Sequence, residues 1–159
     1  MANSRACPAA FVAGPLSSAA LNKLAIGAIA QAVRSSDSGL TSTIQAVLTT
    51  DSLTLPGGRR YRIEGSVTIR SDIAGGVQVA LHQASTQIQR LNDTTAFANK
   101  DIAYTIITEV EPAAGSYTYS LMVGVSGADG NQVQSRADGP AGADGETCLY
   151  VTDVGPAYE

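Results

Sequence analysis

The stretch GGRRYRIEGSVTIRS, residues 57–71, decides the fold. Within it Tyr61, Ile63, Gly65, Val67 and Ile69 alternate with Arg60, Arg62, Glu64, Ser66, Thr68 and Arg70. A strand turns successive side chains to opposite faces, so a period of two gives one buried face and one wet face. Pro56, Gly57 and Gly58 supply a turn before the strand, and Asp72 to Gly76 supplies one after it.

The same period recurs on either side. Upstream, Thr43 to Leu55 is rich in Thr and Val and reads as strand. Downstream, Val77, Val79 and Leu81 continue the alternation. Ile102, Tyr104, Ile106 and Thr108 follow, then Tyr117, Tyr119, Leu121, Val123 and Val125, and last TCLYVTDV at 147–154. About eight short strands separated by turns make an all-β, jelly-roll-like antiparallel β-sandwich. Helical runs between the strands, which a parallel sheet needs, are missing. Ile63, Val67, Ile69, Val79, Leu81, Ile106, Tyr119, Leu121, Val123 and Val151 are expected to share one core.

The pattern before residue 40 differs. Residues 1–15 hold Pro8, Gly14 and Pro15 and have no period, so they read as an extended arm. Ser17 or Ser18 can cap a short helix running to Arg34. Leu21, Leu24, Ala28 and Ala32 recur at spacings of three and four, with Ala25 and Ile29 beside them. The segment SSDSG, 35–39, then ends the helix. This divides the chain into an arm and helix at 1–39 and a sandwich at 40–159. A short helix must bury its stripe, either on its own sheet or on another subunit.

Hydrophobic residues make up 44% of the 159-residue chain, enough for a core, and charged residues only 15%, which leaves a weakly charged surface suited to packing among other subunits. The net charge is −4, and no basic run exceeds Arg59-Arg60. A nucleic-acid groove needs clustered cations with stacking aromatics, so nucleic acid is excluded as the main partner. The apolar run at 19–33 is interrupted by Asn22 and Lys23, which argues against a signal peptide. It also falls short of the ~18 uninterrupted apolar residues a membrane helix needs.

No motif carries catalytic chemistry. His82 is the single histidine, and its alternation sets it on a polar face. Nucleophile-elbow, zinc-protease and phosphate-loop patterns are absent. Arg59, Arg60, Arg62 and Arg70 read as a basic strand face that meets Glu64 and neighbouring strands. Cys7 and Cys148 are compatible with a disulfide or with two thiols. Gly124, Gly127 and Gly130, then Gly139, Gly142 and Gly145, form short Gly-X-Y runs broken by QVQSRAD. Runs this short read as a surface loop over 124–145, where a partner contact can sit, and not as a collagen helix. Asp129, Asp138, Asp144 and Glu146 lack the spacing of a calcium loop. No cofactor or metal is expected, and the chain does not read as an enzyme.

The strand GRRYRIEG (58–65), the hairpin AGSYTYSL (114–121) and the ending LYVTDVGP (149–156) resemble a small β-sandwich domain of virion proteins from tailed phages, especially those of actinobacterial hosts. The resemblance spans residues 43–157. It implies a virion structural role, as a capsid decoration protein or a minor tail or fibre protein, often trimeric. The chain lacks a fused fibrous region, which favours decoration. The resulting expectation is a homotrimer cementing the outer capsid surface, with the major capsid protein as partner. Residues 1–34 would attach it, through Leu21, Leu24, Ala28 and Ile29. The alternative is a minor tail or fibre protein that recognises its host through 124–145.

Overall fold

The structure, a computed structural model, describes residues 27–127, 130–137 and 147–157. Among the described residues eleven strands run in order: β1 Gly27–Val33, β2 Gln45–Thr49, β3 Leu53–Leu55, β4 Arg59–Ser71, β5 Gly75–Gln83, β6 Thr86–Ala96, β7 Asp101–Val110, β8 Gly115–Tyr117, β9 Tyr119–Val125, β10 Val133–Arg136 and β11 Cys148–Pro156. They form an all-β, jelly-roll-like sandwich of antiparallel sheets.

The long strand β4 organises the larger sheet. β7 lies along one flank, from Tyr61↔Val110 to Arg70↔Asp101. On the other flank β11 pairs with residues 59–66, and β10 takes over at 68–71. β1 pairs with β11 and forms an edge. The smaller sheet runs β2-β9-β5-β6, and β3 with β8 makes a two-stranded flap. A hydrogen bond from the Tyr104 hydroxyl to Asp93 Oδ2, 2.8 Å, ties β7 of one sheet to β6 of the other.

The core sits between the two sheets. Every residue expected in it is buried there: Ile63, Val67, Ile69, Val79, Leu81, Ile106, Tyr119, Leu121, Val123 and Val151. Gly65 occupies an inward position of β4, and Leu121 fills the space its side chain would take: a Cβ there would stand 2.7 Å from Leu121 Cδ1.

Two expectations change. Residues 27–33 of the helix expected to reach Arg34 are strand β1, so part of the segment 1–39 set apart as arm and helix belongs to the sandwich. The earlier part of that helix, with Leu21 and Leu24, and the arm lie outside the described residues. Hydrogen bonding along β11 outweighs the helical spacing of the alanines, because a sheet edge pairs any backbone that can extend. Within 124–145, the middle is not loop. β10 pairs Val133–Arg136 with Ser71–Thr68 and buries Val133 and Ser135. Asp129, Asp138, Asp144 and Glu146 lie outside the described residues.

β10 and β11 share one flank of β4 in nearly continuous register. Arg136 faces Thr68, and Cys148 faces Ser66. The described residues 133–137 and 147–156 thus follow one line along β4. Thr147 joins the two pieces: its hydroxyl donates to Arg136 O (2.6 Å) and accepts from Thr68 N (3.4 Å).

Candidate functional site

The basic face of β4 is a set of paired charges. Arg60 Nη1 reaches Glu109 Oε2 at 3.2 Å, and Arg62 Nη2 reaches Oε1 of the same residue at 3.5 Å. Arg70 makes a two-pronged contact with Asp101, 2.7 and 2.8 Å. The partners come from β7, the neighbouring strand. Such exposed pairs contribute about 0–1 kcal/mol each.

Arg59 is not part of this face. It shares inward parity with Tyr61 and lies buried against Asp153 of β11. Close by, Ile29, Leu53, Thr54, Leu55, Pro56, Tyr61 and Asp153 line a pocket of about 230 Å³ beneath the β3–β8 flap. Asp153 Oδ1 also accepts from Gly155 N at 3.0 Å. Burial raises the Tyr61 pKa, and the Asp153 charge adds to that. Tyr119 is fully buried, and its hydroxyl has no hydrogen-bond partner among the described residues. Burial, with the Tyr117 and Tyr61 hydroxyls nearby, pushes its pKa up to about 12.

The opposite end of the sandwich is built by a polar network. Ser71, the last residue of β4, accepts from Asn99 N at 2.7 Å. Asp72 Oδ1 accepts from Ile73 N (2.8 Å) and Gln132 N (2.6 Å). Asn131, buried, donates from Nδ2 to Gly76 O at 3.0 Å. Gly75 and Gly76 carry no side chain because Asn131 and Ser126 occupy that space. This network locks the turn and directs Ile73 outward.

Large apolar side chains stand in solvent at this end. Thr41 bridges to Val133, Val133 pairs with Ser71, and Ser71 bridges to Ala98. Leu40 and Phe97 each adjoin a member of this line, and Ile73 lies two residues beyond Ser71. They are 54%, 67% and 45% exposed, far more than any core neighbour. Ile44, 38% exposed, crosses Gly124 of β9 so closely that a Cβ there would collide with its backbone. Large apolar groups exposed at one end of the sandwich suit a protein-contact surface.

The sequence did not single out these residues. Each sits alone in its local pattern, and only the topology brings the strand ends together. The residues it did single out fare differently. Ala28 is exposed on β1, and Ile29 lines the flap pocket, so the two do not continue a helical stripe. Cys148 is buried, and Cys7 lies outside the described residues. His82 stands opposite Ser120 and Gln87, and its Nε2 is buried without a hydrogen bond among the described residues. The Ser120 hydroxyl bonds Thr49 Oγ1 at 2.9 Å and is not aligned with His82 as a nucleophile is with its base. Among the described residues no three His, Cys, Asp or Glu side chains gather to hold a metal.

No protein-family model matches the sequence, and no curated protein does. Solved structures with a similar shape include the Eiger TNF of S. frugiperda, with TM-score 0.45, 10% identity and 68% of this chain over 67% of that one. The C-terminal domain of the sugar-binding protein EclA gives TM-score 0.40, 17% identity and 78% over 86%. The C-terminal CBM6 of LamC from Zobellia galactanivorans gives 0.39, 13% and 82% over 94%.

Proposed function

We propose that the chain is a structural protein of a tailed-phage virion, a decoration subunit that binds the outer capsid surface as a homo-oligomer. The observation that carries this reading is the exposure of the large apolar residues Leu40, Ile44, Ile73 and Phe97 at one end of the sandwich. The resemblance of the strand at 58–65 and the ending at 149–156 to virion sandwiches supplies the context. Cementing needs no reaction. It needs a stiff body, an apolar contact and several copies acting together, because a repeated lattice offers equivalent patches and multiplies weak contacts. The low charge content suits a subunit that packs against others.

The test is co-sedimentation of the purified full chain with undecorated capsid shells. Binding at a fixed ratio to the shell subunit, lost in the double variant Ile73→Asp/Phe97→Asp, is the expected result. Failure to sediment with shells, or labelling that places the protein at the tail, overturns it. The second of these outcomes favours the minor tail or fibre alternative.

A further inference from the structure

A sheet edge offers unpaired main-chain donors and acceptors to any strand that can lie beside it. Among the described strands the edges are β1, β7 and β10 in the larger sheet, β2 and β6 in the smaller, and β3 and β8, of 3 residues each, in the flap. β10 has only 4 residues, carries Arg136 and takes backbone bonds from Ser38 and Thr41. β7 carries Asp101 and Glu109. β6 carries Arg90 and Asp93 and shifts register against β5. β2 has only 5 residues and also shifts register. Charges, irregularity and shortness are the usual protections of an edge. β1 is the exception: its 7 residues, GAIAQAV, hold no charge and no proline. Its one irregularity lies between Ala28 and Ala30, which leaves Ala30 to Val33 regular.

The pairing fixes which groups face outward. Arg34 N donates to Thr147 O, so Arg34, Ala32 and Ala30 exchange bonds with β11. Gln31 and Val33 therefore turn their N–H and C=O to the open side. Their side chains are also exposed, Val33 to 42%.

We infer that β1 is a self-association edge, with the β1 of a second copy of this chain pairing antiparallel to it. The two-fold axis lies beside Ala32, with Gln31 of one copy opposite Val33 of the other. The occupant is a second copy because this strand is complementary to itself. In a two-fold contact each residue meets its own kind or its symmetric mate, and β1 brings no like charges together. The alanines let the two backbones approach, and Val33 leaves solvent. The larger sheet then runs unbroken through the dimer. This inference rests on the homo-oligomeric reading and replaces the three-fold arrangement implied by the resemblance with a two-fold one.

Sedimentation velocity of the full chain over the micromolar range tests it, together with two variants. Gln31→Pro removes an outward N–H, which an edge strand tolerates, together with the exposed bond from Gln31 Nε2 to the Tyr150 hydroxyl, 3.1 Å. Val33→Lys places a charge on the edge. The expected result is a dimer for the unaltered chain and monomers for both variants, with circular dichroism unchanged. Should Gln31→Pro disturb the fold, Val33→Lys decides alone. A trimer, or a dimer that survives Val33→Lys, overturns the edge pairing and leaves the homo-oligomeric reading standing. A monomer at every concentration, as when residues 1–26 of the same copy cover the edge, overturns both.

Discussion

Arg59 and Asp153 meet inside the sandwich as a two-pronged ion pair, Nε to Oδ2 at 2.7 Å and Nη2 to Oδ1 at 2.8 Å, each residue 2% exposed. It joins β4 to β11, with Tyr61 opposite Asp153 in the strand register. Removing one partner strands a buried charge, at a cost of about 3–5 kcal/mol, whereas replacing both with apolar groups of similar volume is often neutral. Asp153→Ala is therefore expected to lower the urea midpoint by that much free energy. Arg59→Met/Asp153→Leu should recover most of the loss. A single variant as stable as the unaltered chain would contradict the buried pairing.

Gly65 and Leu121 form a complementary pair across the core, an absent side chain facing a full one. Leu121 is fully buried, so it has little room to yield. Gly65→Ala is expected to destabilise by about 1–3 kcal/mol through overpacking. Leu121→Val should relieve part of that strain. A double-mutant cycle on urea midpoints checks this, and a coupling near zero would mean the two sites do not share space.

The inward faces of the central strands are legible in the sequence, because period-two alternation reports directly on a half-buried sheet. Tyr61 to Ile69 on β4 and Tyr119 to Val123 on β9 face inward as their parity requires. The same parity holds the signal of the buried pair. Arg59 is in step with Tyr61, and Asp153 is in step with Val151 and Leu149, so each strand holds one charge at an inward position, and the two are of opposite sign. Adjacency to Arg60 masks that signal. β1 is hidden for another reason. Alanines spaced by three and four fit a helix as well as an edge strand, and only the neighbour β11 decides between them. Val133 and Ser135 of β10 and Ala137 just after it alternate inward, but the flanking glycines dominate the local pattern. The apolar end is illegible in sequence, since Leu40, Ile73 and Phe97 come to one end of the sandwich only through strand pairing between distant segments.

The buried tyrosines predict how stability varies with pH. The Tyr119 pKa is raised from 10.0 to about 12, chiefly by burial, and those of Tyr61 and Tyr104 are raised in the same direction. The folded state thus holds these protons more tightly than the unfolded chain. Their contribution is present in full below pH 10 and is lost as the pH rises through 10 towards about 12. Melting temperatures across that window should fall steeply. Because the Tyr119 hydroxyl has no hydrogen-bond partner among the described residues, Tyr119→Phe should be neutral or stabilising at pH 7. It should also melt less readily than the unaltered chain near pH 11. A Tyr119→Phe chain that loses several degrees at pH 7 would mean the hydroxyl is bonded.

β10 and β11 lie on one line along β4. Arg136 faces Thr68 and Cys148 faces Ser66, which leaves Ala137 and Thr147 together opposite Val67. Thr147 N already points at Ala137 O, 3.5 Å away. Deleting residues 138–146 and joining Ala137 directly to Thr147 therefore sets two residues against one, which is the geometry of a β-bulge. The sheet tolerates a bulge by local twist, and every core residue among the described residues is retained. The shortened loop also removes closure entropy, a small gain that offsets part of any strain. The shortened chain is expected to fold, to melt cooperatively and to keep the strand signature in circular dichroism. Its stability should remain within about 1–2 kcal/mol of the full chain, the range typical of a single tolerated change. A deletion that abolishes folding would mean that residues 138–146 hold the sandwich together, and that β10 and β11 are two separate strands and not one interrupted one.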